Sequence, residues 1–254
     1  GGAKNHALIL PDADIDYTTD QLISAAYGSS GQRCMALSVA VVFSDIKDEF
    51  IQDLERKVQK LKFGLDDLHS NSFGPLVSKE HLESVKNYID MSEGEGARVL
   101  IDGRDFLKRK NSNNGYFLGP TIIDNVSSNM KSYQNEIFGP VLQIMEVNKL
   151  SDAINLINNN RFGNGCCIFT RNGEQARTFS ENVEIGMVGV NIPLPVPTSF
   201  HSFGGWKNSL FGDLNIYGPD GVRFYTQRKT ITQRWPSSGS SKGVDLSMPN
   251  NLKQ

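Results

Sequence analysis

From Ala7 to Ile192 the chain switches repeatedly between two hydrophobic periodicities, and this alternation restricts it to an α/β fold. Ala7 to Leu10 is a short apolar run closed by Pro11. Asp16 to Tyr27 reads as a helix with Leu22, Ile23 and Ala26 on one face. Leu37 to Phe43 is a mostly apolar, partly β-branched run, as expected of a strand buried on both faces. Asp48 to Leu61 repeats Phe50, Leu54, Val58 and Leu61 at helical spacing, and Lys79 to Ser92 does the same with Leu82, Val85 and Ile89. Arg98 to Ile101 and Val141 to Val147 read as strands, with a charged, Asn-rich loop over 104–116 between them. Ser151 is expected to cap a helix through Ile154 and Ile157. Cys166 to Thr170 and Met187 to Ile192 read as strands around a helix from Glu174 to Asn182.

The C-terminal part reads differently. Pro193 to Phe203 is too Pro-rich to be regular. Tyr225 to Trp235 is polar but strand-like, which suits an edge or intersubunit strand. Residues 237–254 have the composition of a disordered tail. The expected organisation is a catalytic domain over 1–224, an oligomerisation strand over 225–236 and the tail. No Gly-x-Gly-x-x-Gly follows a strand, so no self-sufficient dinucleotide-binding unit is evident.

Composition sets outer limits. Of 254 residues, 38% are hydrophobic and 21% charged, with net charge −2, which points away from nucleic acid and anionic membranes. The longest apolar run is strand-sized and far short of a membrane span. Three cysteines, Cys34, Cys166 and Cys167, form neither a disulfide framework nor a zinc pattern, so no metal site is expected and a reducing compartment is. The opening Gly1-Gly2 carries no initiator Met or targeting signal, the mark of a fragment or processed chain.

Three segments carry candidate chemistry. In Ser29-Ser30-Gly31-Gln32-Arg33-Cys34, a small polar loop ends in a thiol just before a buried strand. Arg33 beside Cys34 would favour the nucleophilic thiolate. The alternative is a buried structural cysteine, the commoner fate of a free thiol. In Asn135-Glu136-Ile137-Phe138-Gly139-Pro140, an extended chain would face Glu136 and Phe138 the same way, toward sugar hydroxyls and a planar ring. The alternative is a strand-entry turn with a surface Glu. In Phe200 to Lys207, aromatics flank Gly204-Gly205 and could wall a channel, or the segment is a tight turn over a core. His201 raises a Cys34–His201 dyad, although a lone loop histidine is more often solvated. Cys166 and Cys167 read as sheet-packing residues, and His6, His69 and His81 fit no constellation.

Gly31-x-x-Cys34, Glu136-Ile137-Phe138-Gly139-Pro140, Val190-Asn191 and Phe203-Gly204-Gly205-x-Lys207-x-Ser209, in this order, resemble the aldehyde dehydrogenase superfamily over roughly residues 1 to 236. Gly1 to His6, Gly31 to Ala36, Gly186 to Pro193 and His201 to Asp213 resemble its CoA-acylating semialdehyde branch. Leu210-Phe211-Gly212-Asp213-Leu214 departs from the superfamily's usual Gly-x-Gly-Arg-Glu.

The resemblance implies an open, twisted, mostly parallel sheet flanked by helices. It implies Cys34 as nucleophile, Arg33 at the substrate carboxylate, Phe203 at the substrate, and Glu136 and Phe138 at the nicotinamide of NAD. Coenzyme A would be co-substrate, and malonate or methylmalonate semialdehyde would yield acetyl-CoA or propionyl-CoA. The dinucleotide-binding half, the side-chain oxyanion donor and the base position of hydrolytic relatives are expected upstream of Gly1, so this chain alone should not turn over. A homo-oligomer is expected, in the mitochondrial matrix of a eukaryote or otherwise in the cytoplasm. Three alternatives stay open: a hydrolytic aldehyde dehydrogenase, a thiol hydrolase or acyltransferase using Cys34 and His201, and a non-catalytic oligomerisation module.

Overall fold

The structure is a computed structural model, and it describes residues 1–62, 74–105, 115–239 and 246. Its centre is an open seven-stranded sheet. The strands are β1 (Asn5–Ile9), β2 (Leu37–Phe43), β3 (Arg98–Ile101), β4 (Thr121–Asp124), β5 (Val141–Val147), β7 (Gly165–Phe169) and β8 (Met187–Val190). They lie in the order β3-β4-β5-β2-β1-β7-β8. Only the edge strand β3 runs antiparallel to its neighbour. A separate two-stranded ribbon pairs β6 (Phe162–Gly163) with β9 (Trp206–Lys207).

The central strands are apolar at successive positions because helices cover both faces. Leu8, Leu10, Val39 and Val41 point into one cluster, and Ala7, Ile9, Ala40 and Val42 into the other. The second cluster is closed by α1 (Ile15–Tyr27) and α2 (Lys47–Val58) through Leu22, Ala25, Phe50 and Leu54. The first is closed by α3 (Lys79–Gly94), α5 (Leu150–Asn159) and α6 (Gly173–Asn182), with the short α4 (Lys131–Gln134) beside them. Each fully buried Leu or Phe on these faces contributes about 1.5–3 kcal/mol of apolar transfer free energy.

Three helices carry side-chain caps. Asp14 accepts from Tyr17 N, Ser78 from His81 N, and Asn172 from Glu174 N and Gln175 N. The cap expected at Ser151 does not form. The cap of α5 is Lys149, without a side-chain bond, and Ser151 sits inside the first turn with its hydroxyl against Asp152.

Tyr225 does not open the strand expected over Tyr225 to Trp235. Tyr225 ends α7 (Pro219–Tyr225), a helix started by Gly218 at positive φ and by Pro219, whose fixed φ suits a first helical position. Residues 226–237 have no regular structure and join neither sheet of this chain. Strand geometry needs a partner edge, and the described residues of this chain offer the segment none. Tyr225 and Trp235 are both 86% exposed. Of the loop expected over 104–116, residues 106–114 lie outside the described residues, as does most of the 237–254 tail.

Candidate active site

Four neighbouring strands place the site. Ala3 to Asn5 lead into β1, Cys34 precedes β2, Glu136 to Gly139 precede β5, and Asn164 precedes β7. In the order β5-β2-β1-β7 these strands are adjacent and parallel, so their entry segments converge at one amino-terminal edge. Ligands of open α/β sheets usually gather at the carboxyl edge. At the carboxyl edge, the ends of β7 and β8 are instead tied to each other. Asn191 exchanges hydrogen bonds with the Thr170 backbone at 3.0 Å, and Tyr17 donates to the Asn191 carbonyl at 3.1 Å. Val190-Asn191 is therefore a structural clip remote from the thiol.

Cys34 is exposed at the end of an unusual turn. Ser29, Ser30 and Gly31 take φ of 53°, 57° and 69°, three consecutive left-handed residues. For non-glycine residues that costs roughly 1–2 kcal/mol each, so the surroundings must hold the turn. They do so at several points. Ser30 Oγ donates to the Gly74 carbonyl. Gln32 Nε2 donates to Pro75 O at 3.2 Å, and Gln32 Oε1 accepts from Val77 N at 2.9 Å. A Cβ on Gly31 would lie 2.1 Å from Gly139 O, so the thiol's turn is pressed directly onto the Glu136–Pro140 loop.

Two carboxamides invisible to motif reading fix the thiol's own residue. Asn5 Nδ2 and Asn164 Nδ2 each donate to the Cys34 carbonyl at 2.9 Å. Asn5 also donates to Ala36 O at 2.9 Å and accepts from Gly165 N at 3.0 Å, tying three strand entries together.

Cys34 borders two recesses. The narrower holds Ala3, Arg33, Glu136 and Phe138, residues up to 135 positions apart that only the fold brings together. Glu136 Oε1 accepts from Ala3 N at 2.9 Å. Phe138 does not continue an extended chain as expected: its φ is 57°. It shares the groove with Glu136 through a left-handed turn, not through strand alternation. Lys4, fully buried next to this loop, donates to Ser132 O at 2.7 Å and Asn135 O at 3.0 Å. Burial lowers its pKa to about 7, while the Glu136 carboxylate pulls it back up.

The wider recess, about 380 Å³, is walled by Phe203, Leu214, Phe224 and Tyr225, with Asn164 beside the thiol. Phe203 stacks against Tyr217 with ring centroids 5.6 Å apart. Arg33 does not border this recess. Its Nε donates to Ser29 Oγ at 3.0 Å, and its guanidinium lies over Gly28. His201 is exposed, packs against Phe200 at 4.8 Å and shares no hydrogen bond with Cys34 among the described residues, so the dyad does not form.

The rest of the Phe203–Ser209 motif is scaffolding. Lys207 Nζ donates to Asn158 O at 2.9 Å and Asn160 O at 3.0 Å, closing the carboxyl end of α5. Ser209 Oγ donates to Gly2 O at 2.7 Å and accepts from Gly163 N at 3.1 Å. Cys166 and Cys167 are buried in β7, and burial raises both thiols well above the ordinary range. That leaves Cys34 as the accessible thiol.

An exposed thiol at the entry edge of a parallel sheet, with a carboxylate–aromatic groove on one side and an aromatic recess on the other, marks the class: a thiol-bearing α/β domain. The chain belongs to the aldehyde dehydrogenase family, whose pattern matches residues 1–231. A malonate-semialdehyde dehydrogenase of Pseudomonas aeruginosa is 51% identical over 250 residues, which cover 98% of this chain and 50% of the relative. The crystal structure of a methylmalonate-semialdehyde dehydrogenase from Oceanimonas doudoroffii is similar at TM-score 0.90 and 57% identity, over 94% of this chain and 49% of that one. A Sinorhizobium meliloti structure assigned to methylmalonate-semialdehyde dehydrogenase and solved with NAD has TM-score 0.90 and 45% identity, over 95% and 49%. The chain thus spans about half the length of the relatives it matches.

Proposed function

We propose that this chain is the thiol-bearing half of an NAD-dependent, CoA-acylating dehydrogenase of malonate or methylmalonate semialdehyde. The observation carrying the reading is the position of Cys34, exposed between the Glu136–Phe138 groove and the Phe203 recess. The names of the relatives supply the substrate class, and the NAD complex of one of them supports the cofactor.

The residues fit a nicotinamide. Phe138 is 38% exposed on the groove and can pack on a planar ring. The half-buried Glu136 carboxylate can accept from ribose hydroxyls. Bound there, NAD would accept a hydride.

The Cys34 thiolate adds to the aldehyde carbon, giving a tetrahedral alkoxide that can release hydride where an aldehyde cannot. The Cys34 backbone N–H is a candidate donor to that oxyanion. Hydride loss leaves an acyl-Cys34 thioester with a carboxylate beta to its carbonyl. Loss of CO2 gives a thioester enolate, which takes up a proton. The CoA thiol then displaces Cys34 and leaves as acetyl-CoA or propionyl-CoA. Arg33 would grip the substrate carboxylate, which requires its side chain to swing from Ser29 toward the substrate.

Assembly and location belong to the same reading. The exposed segment after Tyr225 pairs with a neighbouring copy in a homo-oligomer, and deleting residues 225–254 should reduce the mass found by light scattering. The enzyme would work in a reducing compartment, the mitochondrial matrix of a eukaryote or the cytoplasm.

The test uses the full-length protein with both semialdehydes, NAD and CoA, and mass spectrometry of the products. CoA thioesters that require all three reactants support the reading. Free acid formed independently of CoA would assign a hydrolytic dehydrogenase, and turnover without NAD a thiol hydrolase or acyltransferase.

A further inference from the structure

We propose that His81 is a positioning residue: its Nε2–H locks Phe138 and, through Gly139 and Gly31, ties the nicotinamide groove to the Cys34 turn. This rests on the reading above, in which Phe138 contacts the nicotinamide.

The histidine touches Phe138 twice. His81 Nε2 lies 2.7 Å from the Phe138 carbonyl. A carbonyl only accepts, so this nitrogen carries the proton. The two rings are 6.3 Å apart at 59°. Phe138 has φ 57°, a sparsely populated conformation for a bulky side chain, which persists only where neighbours impose it. His81 is itself anchored, because Ser78 accepts from His81 N at 3.1 Å as the cap of α3.

The same stretch of chain braces the thiol. One turn beyond His81, Val85 packs so closely on Gly139 that a Cβ there would lie 2.8 Å from both of its methyl groups. The Gly139 carbonyl abuts Gly31. Just before His81, Gly74, Pro75 and Val77 hold Ser30 and Gln32. Residues 74–85 therefore contact both walls of the groove. Hydride transfer depends on the distance between the thiol-bound carbon and the ring, and this brace sets it.

The experiment compares full-length wild type with His81→Gln, which can keep the donor, with His81→Phe, which keeps a ring but loses the donor, and with Gln32→Leu, which cuts the brace at its other end. Melting temperatures confirm folding, and Gln32→Leu keeps the test alive if His81→Phe does not fold. Two readouts are taken. The first is single-turnover reduction of NAD by propanal and by its aldehyde-deuterated form. His81→Phe and Gln32→Leu should slow it about tenfold and raise the isotope effect, with little change in KM for aldehyde, while His81→Gln stays close to wild type. The second is alkylation of Cys34 by iodoacetamide without NAD, which should be several-fold faster in the two cut variants.

Wild-type hydride rates and alkylation rates in His81→Phe and Gln32→Leu would overturn the proposal. So would a loss in His81→Gln with His81→Phe at the wild-type rate, which would mean that ring packing rather than the N–H matters, or equal losses in both, which would mean that a donor does not suffice. If wild type itself fails to reduce NAD with any aldehyde, the proposed function falls, and the alkylation rates still decide whether the brace exists.

Discussion

Replacing Gly31 with alanine should separate the two halves of the site by a predictable amount. Gly31 has φ 69°, and an added Cβ would lie 2.1 Å from Gly139 O and 2.5 Å from Gly139 C. Contacts of a Cβ under 3.0 Å essentially do not occur, so the Cys34 turn and the Glu136–Pro140 loop must part by nearly 1 Å. Neither side can yield cheaply. Gly139 is backed by Val85, and the Gly31 turn is held by Ser30 and Gln32. Left-handed alanine adds roughly 1–2 kcal/mol of its own. A domain stable by about 5–15 kcal/mol should survive this, with a lower melting temperature. A displacement of about 1 Å at reacting groups costs on the order of 100-fold in rate, or about 2.7 kcal/mol of barrier. Calorimetry and single-turnover NAD reduction on the full-length variant measure the two effects. A Gly31→Ala enzyme that melts lower but transfers hydride at the wild-type rate would show that this contact supports the fold and does not set the reaction distance.

Limiting alkylation followed by peptide mapping should label Cys34 well before Cys166 or Cys167, whose thiols are buried and raised; earlier labelling in β7 would contradict the site. Arg33→Leu should lower selectivity for carboxylate-bearing semialdehydes over propanal by roughly ten- to a hundredfold, the worth of one charge-assisted hydrogen bond; equal losses on both would confine Arg33 to its Ser29 contact. Lys4 titrates near 7 in the fold against 10.5 unfolded, so between those values the unfolded chain binds more protons and stability should rise with pH. Lys4→Met should remove that rise from melting curves, and an unchanged slope would refute the assignment.

The sheet was legible because its strands and helices differ in kind. A run such as Leu37–Phe43, apolar on both faces, is what a parallel strand between helices requires, and Phe50, Leu54 and Val58 mark a helix by spacing alone. Two local readings failed. Tyr225, expected to open a strand running to Trp235, instead ends the helix that Gly218-Pro219 starts. Ser151 resembled a cap, but the cap of α5 lies two residues earlier, at Lys149, which has the extended backbone. Cys34 could be singled out because it stands in a compact motif. Its supports could not. Asn5 and Asn164 reach Cys34 from 29 and 130 residues away, and His81 reaches Phe138 across 57. Such single side chains carry no periodicity and no spacing, so only the converging strand entries reveal them. Arg33 illustrates the opposite case: its motif suggested a substrate contact, while its present hydrogen bond is to Ser29.

The most direct test of the account is to trap the acyl-enzyme. Full-length protein is mixed with methylmalonate semialdehyde and NAD without CoA, quenched in acid, digested and mapped by mass spectrometry. The account predicts a propionyl thioester on the peptide carrying Cys34, with one reduced nicotinamide formed per thioester, and its disappearance as propionyl-CoA when CoA is added before the quench. An acyl group on another residue, or nicotinamide reduction with no acyl group on Cys34, would contradict it.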